Sequence, residues 1–399
     1  MFSSLKVKNF RLYWFGMFVS LIGTWIQNVV QSWLIFHLTN SVLLLGLVGF
    51  LGAMPIFFLS FIGGVIADKV DNRKILLFTQ SAFMVLALAL AVLTQLKLVT
   101  PEQIMLISVL NGVVMAFDAS ARQAVVVRLA GKEHLLNAIA LNSAAFNSAR
   151  IIGPAVASIL ILSVGMFGCF YVNAISFIAV IIALLLIKNN ELPKTNNKRT
   201  DMLKDLAEGL KFIINNRIVL VLMILVGVNS LFGIPYAIFM PVFANDVLKV
   251  GVKGLGMLMS SSGVGALLAA LVLARLGNFK QRGKLMIISF IVFSIALIVF
   301  SLSKIYVLSL VIMVVLGWTT VMAISLVNNS LQILVPDELR GRVMSAFLFT
   351  FVGIAPFGSL IEGVMSQAWG VSFAVTLSGS ICLVFFLAVG VFFPKIRRV

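Results

Sequence analysis

The chain has 399 residues, 61% of them hydrophobic and only 11% charged, against roughly 25% charged in an ordinary soluble domain. Its mean hydropathy is +1.14 and its formal net charge is +17. So few charges could not cover a water-soluble surface, which excludes a cytosolic or secreted enzyme. The basic excess comes with no soluble face on which nucleic acid could lie.

A short basic stub (Lys6, Lys8, Arg11) precedes an apolar run from Leu12 to Phe36. That run exceeds the roughly 7–15 residues of a signal-peptide core, and no small-residue cleavage site follows, so it reads as a retained first crossing. Further apolar runs follow at 41–66, 75–95, 102–122, 137–162 and 166–187, and then at 218–243, 254–276, 284–302, 305–327, 343–366 and 371–393. About 20 residues span the hydrocarbon of a bilayer as a helix. The pattern therefore predicts an all-α membrane protein of twelve transmembrane helices in two pseudo-symmetric six-helix bundles, 1–187 and 218–399, joined by a cytoplasmic linker at 188–217. Alternating ten-residue segments, as in a β-barrel, do not describe it.

Loop charges test this division. With the N-terminus inside, only Lys97, Lys249, Lys253 and Lys304 fall outside, and Arg150 lies within a crossing, out of 30 Lys and Arg. The positive-inside rule expects that bias and puts both termini in the cytoplasm. The basic loops face anionic membrane lipids.

Within the linker, Asn189–Thr200 reads as a loop. Leu203, Leu206, Leu210, Ile213 and Ile214 then share one helical face, with Lys204–Glu208 and Glu208–Lys211 at pairing distance along the helix, as in an interfacial helix. The chain also repeats itself: Gly64–Lys74 and Ala274–Lys284 occupy corresponding places in the two halves, as do Arg128–Leu135 and Leu334–Gly341. Repeated six-helix units are a sign of secondary transporters.

Cys169 and Cys382 lie in apolar runs without zinc spacing, and His37 and His134 stand apart, so neither a metal nor a cofactor is expected. No phosphate-binding G-x-x-x-x-G-K-[ST] loop is present, and no nucleotide is implied.

The chemistry-bearing residues sit at helix ends and inside crossings. Gly64 and Asp68 are four apart on one face, followed by Lys69, Asp71, Arg73 and Lys74. A carboxylate at that depth can meet a neighbouring helix N-terminus, and the cations can meet acids or lipid phosphates. Asp118 and Arg122 lie one turn apart at the inner end of the fourth crossing and can join a network with Asp68 and Arg73. Arg150 is near the middle of the fifth crossing, where a charge must face water, a carboxylate or substrate. Glu362 is the acid toward the outer part of the eleventh crossing, open to proton carriage, snorkelling or an external salt bridge. Gln27, Asn28 and Gln31 in the first crossing, Asn142 and Asn147 in the fifth, Asn173 in the sixth, and Asn229 and Tyr236 in the seventh bridge helices or line a cavity. Asn328, Asn329 and Gln332 follow the tenth.

Gly64, Asp68, Lys69 and the pair Arg73-Lys74 resemble the loop motif G-x-x-x-D-R/K-x-G-R/K-R/K of the major facilitator superfamily. Asp71 stands at its second glycine, and Asn72 is one additional residue. That form resembles the D-R-x-D-R-R variant of bacterial efflux members related to macrolide exporters and the enterobactin exporter, and the segment Val335–Met344 is also similar to that group. The resemblance covers essentially the whole chain. It implies that Asp68 helps hold the two halves together, with a partner near Arg342–Ser345. The segment Ala149–Ser158 resembles the antiporter motif G-x-x-x-G-P-x-x-G-G, with Gly153 and Pro154 matching and small residues at other glycine positions.

The expected function is therefore secondary transport without catalysis, in a bacterial inner membrane. A proton-coupled, alternating-access exporter of a bulky amphipathic or lipophilic small molecule is expected, acting as a monomer. Rival readings are an importer or facilitator of a metabolite or lipid, a membrane scaffold, and a lipid-modifying enzyme, which would need His and acidic clusters that the loops lack.

Overall fold

A computed structural model describes residues 3–187, 202–276 and 281–398. The expected loop at Asn189–Thr200 lies outside them. The described chain is helical throughout. Its helices are α1 (Lys8–Thr39), α2 (Val42–Lys69), α3 (Asn72–Gln95), α4 (Pro101–Leu186), α5 (Met202–Asn215) and α6 (Arg217–Val228). They continue as α7 (Met240–Val242), α8 (Gly251–Leu276), α9 (Arg282–Leu302), α10 (Tyr306–Leu334), α11 (Asp337–Leu348), α12 (Ala355–Trp369) and α13 (Val371–Phe392).

Local chemistry places several of these boundaries. Asp71 caps α3 by accepting from Arg73 N at 3.0 Å. Thr100 and Gln103 form a reciprocal capping box ahead of Pro101, which opens α4 where a missing N–H costs nothing. Asn216 accepts from the backbone N–H groups of Ile218 and Val219, so α6 starts immediately after α5 ends.

Ten helical stretches among the described residues are long and apolar enough to cross a membrane. One of these, Glu133–Leu186, has 54 residues, twice what a crossing needs, and α1 adds a further helix of 32 residues. The twelve runs seen in the sequence are thus all helical.

The departures are local. The fourth to sixth crossings are continuous helix, broken only at Gly131 (φ 69°) and Gly165 (φ 78°). A residue without Cβ adopts these left-handed angles freely, so one glycine replaces a loop of several residues. α10 runs to Leu334, so Asn328, Asn329 and Gln332 lie within it rather than after it. The seventh crossing is irregular: α6 gives way to a π-turn at Asn229–Gly233, a 3-10 segment at Pro235–Phe239, α7, and a second π-turn at Phe243–Val247. Pro235 and Pro241 each remove a backbone donor, and the widened turns absorb the mismatch. The eleventh crossing is interrupted likewise, by a π-turn at Phe349–Gly353 between α11 and α12.

The chain forms two compact units. The first comprises 1–40, 51–197 and 251–260, and the second 41–50, 198–250 and 261–399. In the first, α1 and α3 pack along α4 around Phe10, Tyr13, Leu76, Val180 and Leu184. In the second, α9 packs between α10 and α13, and Phe290 lies 4.5 Å from Phe386 between ring centres. Lipid supplies no hydrophobic drive for helices to associate, so close backbone approach matters more than in water. A Cβ at Gly112 would lie 2.1 Å from Gly52 O, and one at Gly317 would lie 1.8 Å from Ser262 O. Neither contact survives a side chain.

Candidate functional site

In the first unit, α3 and α4 bring a carboxylate and its donors together. Asp118 is fully buried. Its Oδ1 accepts from Thr79 Oγ1 at 2.8 Å and from Gln80 Nε2 at 2.7 Å. Its Oδ2 accepts from Arg122 Nε at 3.1 Å and pairs with the same guanidinium through a terminal nitrogen. A charge out of water persists only when it is so surrounded. Sequence reasoning had Asp118 and Arg122 but missed Thr79 and Gln80, whose i,i+1 spacing carries no signal of shared work.

Asp71, Arg73 and Lys69 occupy the α2–α3 junction. Arg73 donates to the carbonyls of Leu184 (2.6 Å) and Leu185 (3.1 Å), in the last turn of α4, where carbonyls lack intrahelical donors. Lys69 is exposed. Asp68 lies in α2, and its side chain is outside the described set. A Cβ on Gly64 would meet open space, whereas one on its neighbour Gly63 would fall 2.3 Å from Ala116 O. The tight helix contact belongs to Gly63.

A second polar line crosses the first unit deeper in. Asn173 donates to Gln27 Oε1 at 2.6 Å, and Gln27 donates to Gln31 Oε1 at 3.4 Å. Gln31 in turn donates to Ser108 Oγ at 2.7 Å, whose hydroxyl donates to Ile104 O. The line joins α1 to two legs of α4. Gln27 and Asn173 are buried, Gln31 is half-buried, and Asn28 is exposed, turned away from it. Asn147 bonds back to Ser143 O on its own helix. Arg150 is half-buried one turn before Gly153, where a Cβ would lie 2.4 Å from Trp25 Cβ. Pro154 O and Ser158 Oγ sit 2.6 and 2.5 Å from the Cβ position of Gly256. The Gly153–Pro154 segment is thus pressed on two sides.

The second unit holds a contrasting carboxylate. Glu362 on α12 is 1% exposed, and neither oxygen has a hydrogen-bond partner among the described residues. Ser366, one turn on, has a buried hydroxyl equally without a partner. α12 and α13 both pack against the π-turn at Asn229–Gly233, where Asn229 Nδ2 and Ser230 Oγ are also buried and unpaired. Tyr236 is buried with its ring edge-on to Phe293 and Phe300, at 6.4 Å from each. On the linker, Glu208 of α5 pairs with Arg342 of α11.

This geometry (crossing helices with polar and acidic groups inside, and no group of three His, Cys, Asp or Glu placed to hold a metal among the described residues) has many counterparts. The family of transmembrane secretion effectors matches residues 1–398. The chain belongs to that family, within the major facilitator superfamily. It is 26% identical over 378 residues to the staphyloferrin A transporter of Staphylococcus aureus, covering 94% of each chain. It is 24% identical to the multidrug efflux pump Tap of Mycolicibacterium fortuitum, covering 94% of this chain and 93% of that one. To the enterobactin exporter EntS of Shigella boydii it is 23% identical, covering 84% and 79%. Among solved structures, the nucleoside transporter NupG superposes with a TM-score of 0.76 at 14% identity, covering 98% of this chain and 99% of that one. A D-xylose–proton symporter does so with a TM-score of 0.76 at 13% identity, covering 97% and 99%. The protein is a multi-pass membrane transporter of the efflux-related group of this superfamily, not a member of an enzyme family.

Proposed function

We propose that this transporter exports a bulky amphipathic or lipophilic small molecule across the bacterial inner membrane in exchange for protons, by alternating access, as a monomer with both termini in the cytoplasm. The observation that carries the proton-coupled reading is Glu362. Its carboxylate is buried in a crossing with no hydrogen-bond partner among the described residues, where a charge is costly. A group that loads and releases a proton as access changes is what coupling requires. The efflux pump and exporter among the relatives support outward transport. Gln27, Gln31, Asn147, Arg150, Asn229 and Tyr236 are the proposed substrate contacts. Asp68, with Asp118, Arg122 and Arg73, is the proposed inner gate.

Reconstituted vesicles test this. Flux of a lipophilic cation or another bulky amphiphile should follow an imposed pH gradient and collapse with nigericin, and E362Q should still bind substrate yet lose gradient-driven flux. Flux indifferent to the gradient, or an E362Q variant that still concentrates substrate, refutes proton exchange through this residue.

A further inference from the structure

The second unit also carries a cavity of about 590 Å³ away from the middle of any crossing. It opens where α5 hands over to α6 and where the chain leaves α13, so it sits at helix ends. Its wall combines Phe212, Ile218, Phe392 and Phe393 with two cations, Arg217 and Lys395, and no carboxylate among the described residues. Arg217 lays its guanidinium 5.1 Å over the Phe393 ring, which fixes the group by one face and leaves its N–H edge for an acceptor. Neither Arg217 nor Lys395 forms an ion pair with a described residue. Phe392, 76% exposed, continues the apolar wall outward, and Leu210 and Ile214, which flank Phe212 in α5, are exposed. The volume falls within the range of roughly 300–1,000 Å³ typical of ligand sites.

Cations at helix ends above an apolar wall match one chemistry: an anionic head on an acyl chain. A neutral lipid would leave both cations uncompensated, and a small inorganic anion would leave the aromatic wall bare. We propose that this cavity binds an anionic phospholipid, its phosphate between Arg217 and Lys395 and its chain along Phe212, Ile218 and Phe392. The occupant would tie the linker helix to the last crossing. Because α5 also holds α11 through Glu208 and Arg342, lipid occupancy would stabilise that end of the unit.

The test uses the full chain in detergent, followed by thermal unfolding against phosphatidylglycerol, phosphatidylcholine or inorganic phosphate. Phosphatidylglycerol alone should raise the unfolding midpoint in a saturable way. R217Q and K395Q should each weaken its apparent affinity about fivefold, the magnitude expected for one basic group near an anionic surface. K8Q, which removes an exposed cation from the other unit, should leave it unchanged. Lys395 lies outside the membrane helices, so K395Q reports even if R217Q disturbs the Phe393 stack. An equal response to phosphatidylcholine, an equal response to phosphate alone, or an unaltered response in K395Q each overturns the proposal. None of these outcomes bears on whether flux is proton-driven.

Discussion

Asp118 and Glu362 are both carboxylic acids buried inside crossing helices, yet their surroundings are opposite. Asp118 is held by a threonine hydroxyl, a glutamine amide and a guanidinium. Glu362 has no hydrogen-bond partner among the described residues, and the serine one turn away is bare as well. The first arrangement ties the carboxylate to the helices that supply its donors. The second leaves an acid without such ties among the described residues. One fold therefore separates a structural acid from a responsive one by donor supply alone, since burial is nearly the same at both.

Removing partners should expose that difference. The largest effect is expected for Asp118→Ala, which leaves Arg122, Thr79 and Gln80 without their shared acceptor. Thermal or denaturant unfolding in detergent should show a loss of about 3–5 kcal/mol, the range for breaking a buried pair from one side. Gln80→Leu takes one donor from Asp118 and should cost about 1–3 kcal/mol in the same assay. If Gln80→Leu proves silent, the cluster is less rigid than its geometry requires. Glu362→Gln should change unfolding by less than about 1 kcal/mol, because no partner is lost, while abolishing gradient-driven flux. A large destabilisation by Glu362→Gln would mean that the acid is structurally held, and the contrast with Asp118 would fail. The smallest effect belongs to Glu208→Gln. Its pair with Arg342 lies at the exposed end of α11, and exposed pairs contribute about 0–1 kcal/mol. Raising salt should erase that difference, whereas the Asp118 variants should be insensitive to it.

The crossings could be read from composition because a helix in lipid must satisfy its own backbone, so an apolar run of the right length has little choice of structure. Individual boundaries were fixed by caps that the apolar runs do not show, as at Thr100–Gln103 and Asn216. The sequence left 123–136 between two crossings, but not that helix would continue on both sides of Gly131, because a single glycine there looks like any loop. The partners of named residues were hidden for a different reason. Gln27 and Gln31 share a face in sequence, but Asn173 and Ser108, which complete their line, are distant in the chain. Glu208 offered lysines at the right spacing on its own helix, yet the guanidinium it meets is Arg342, 134 residues away. Asp68 was picked from its loop motif, and its side chain lies outside the described residues.

Hydropathy and loop charge by themselves determined the all-helical membrane fold and the number of crossings, because both follow from local energies: backbone saturation and the cost of moving cations through lipid. Which acid is clothed in donors and which is bare was decided only when α3 met α4 and α12 met the π-turn of the seventh crossing. That choice depends on how helices distant in sequence turn their faces toward one another. No local energy encodes it.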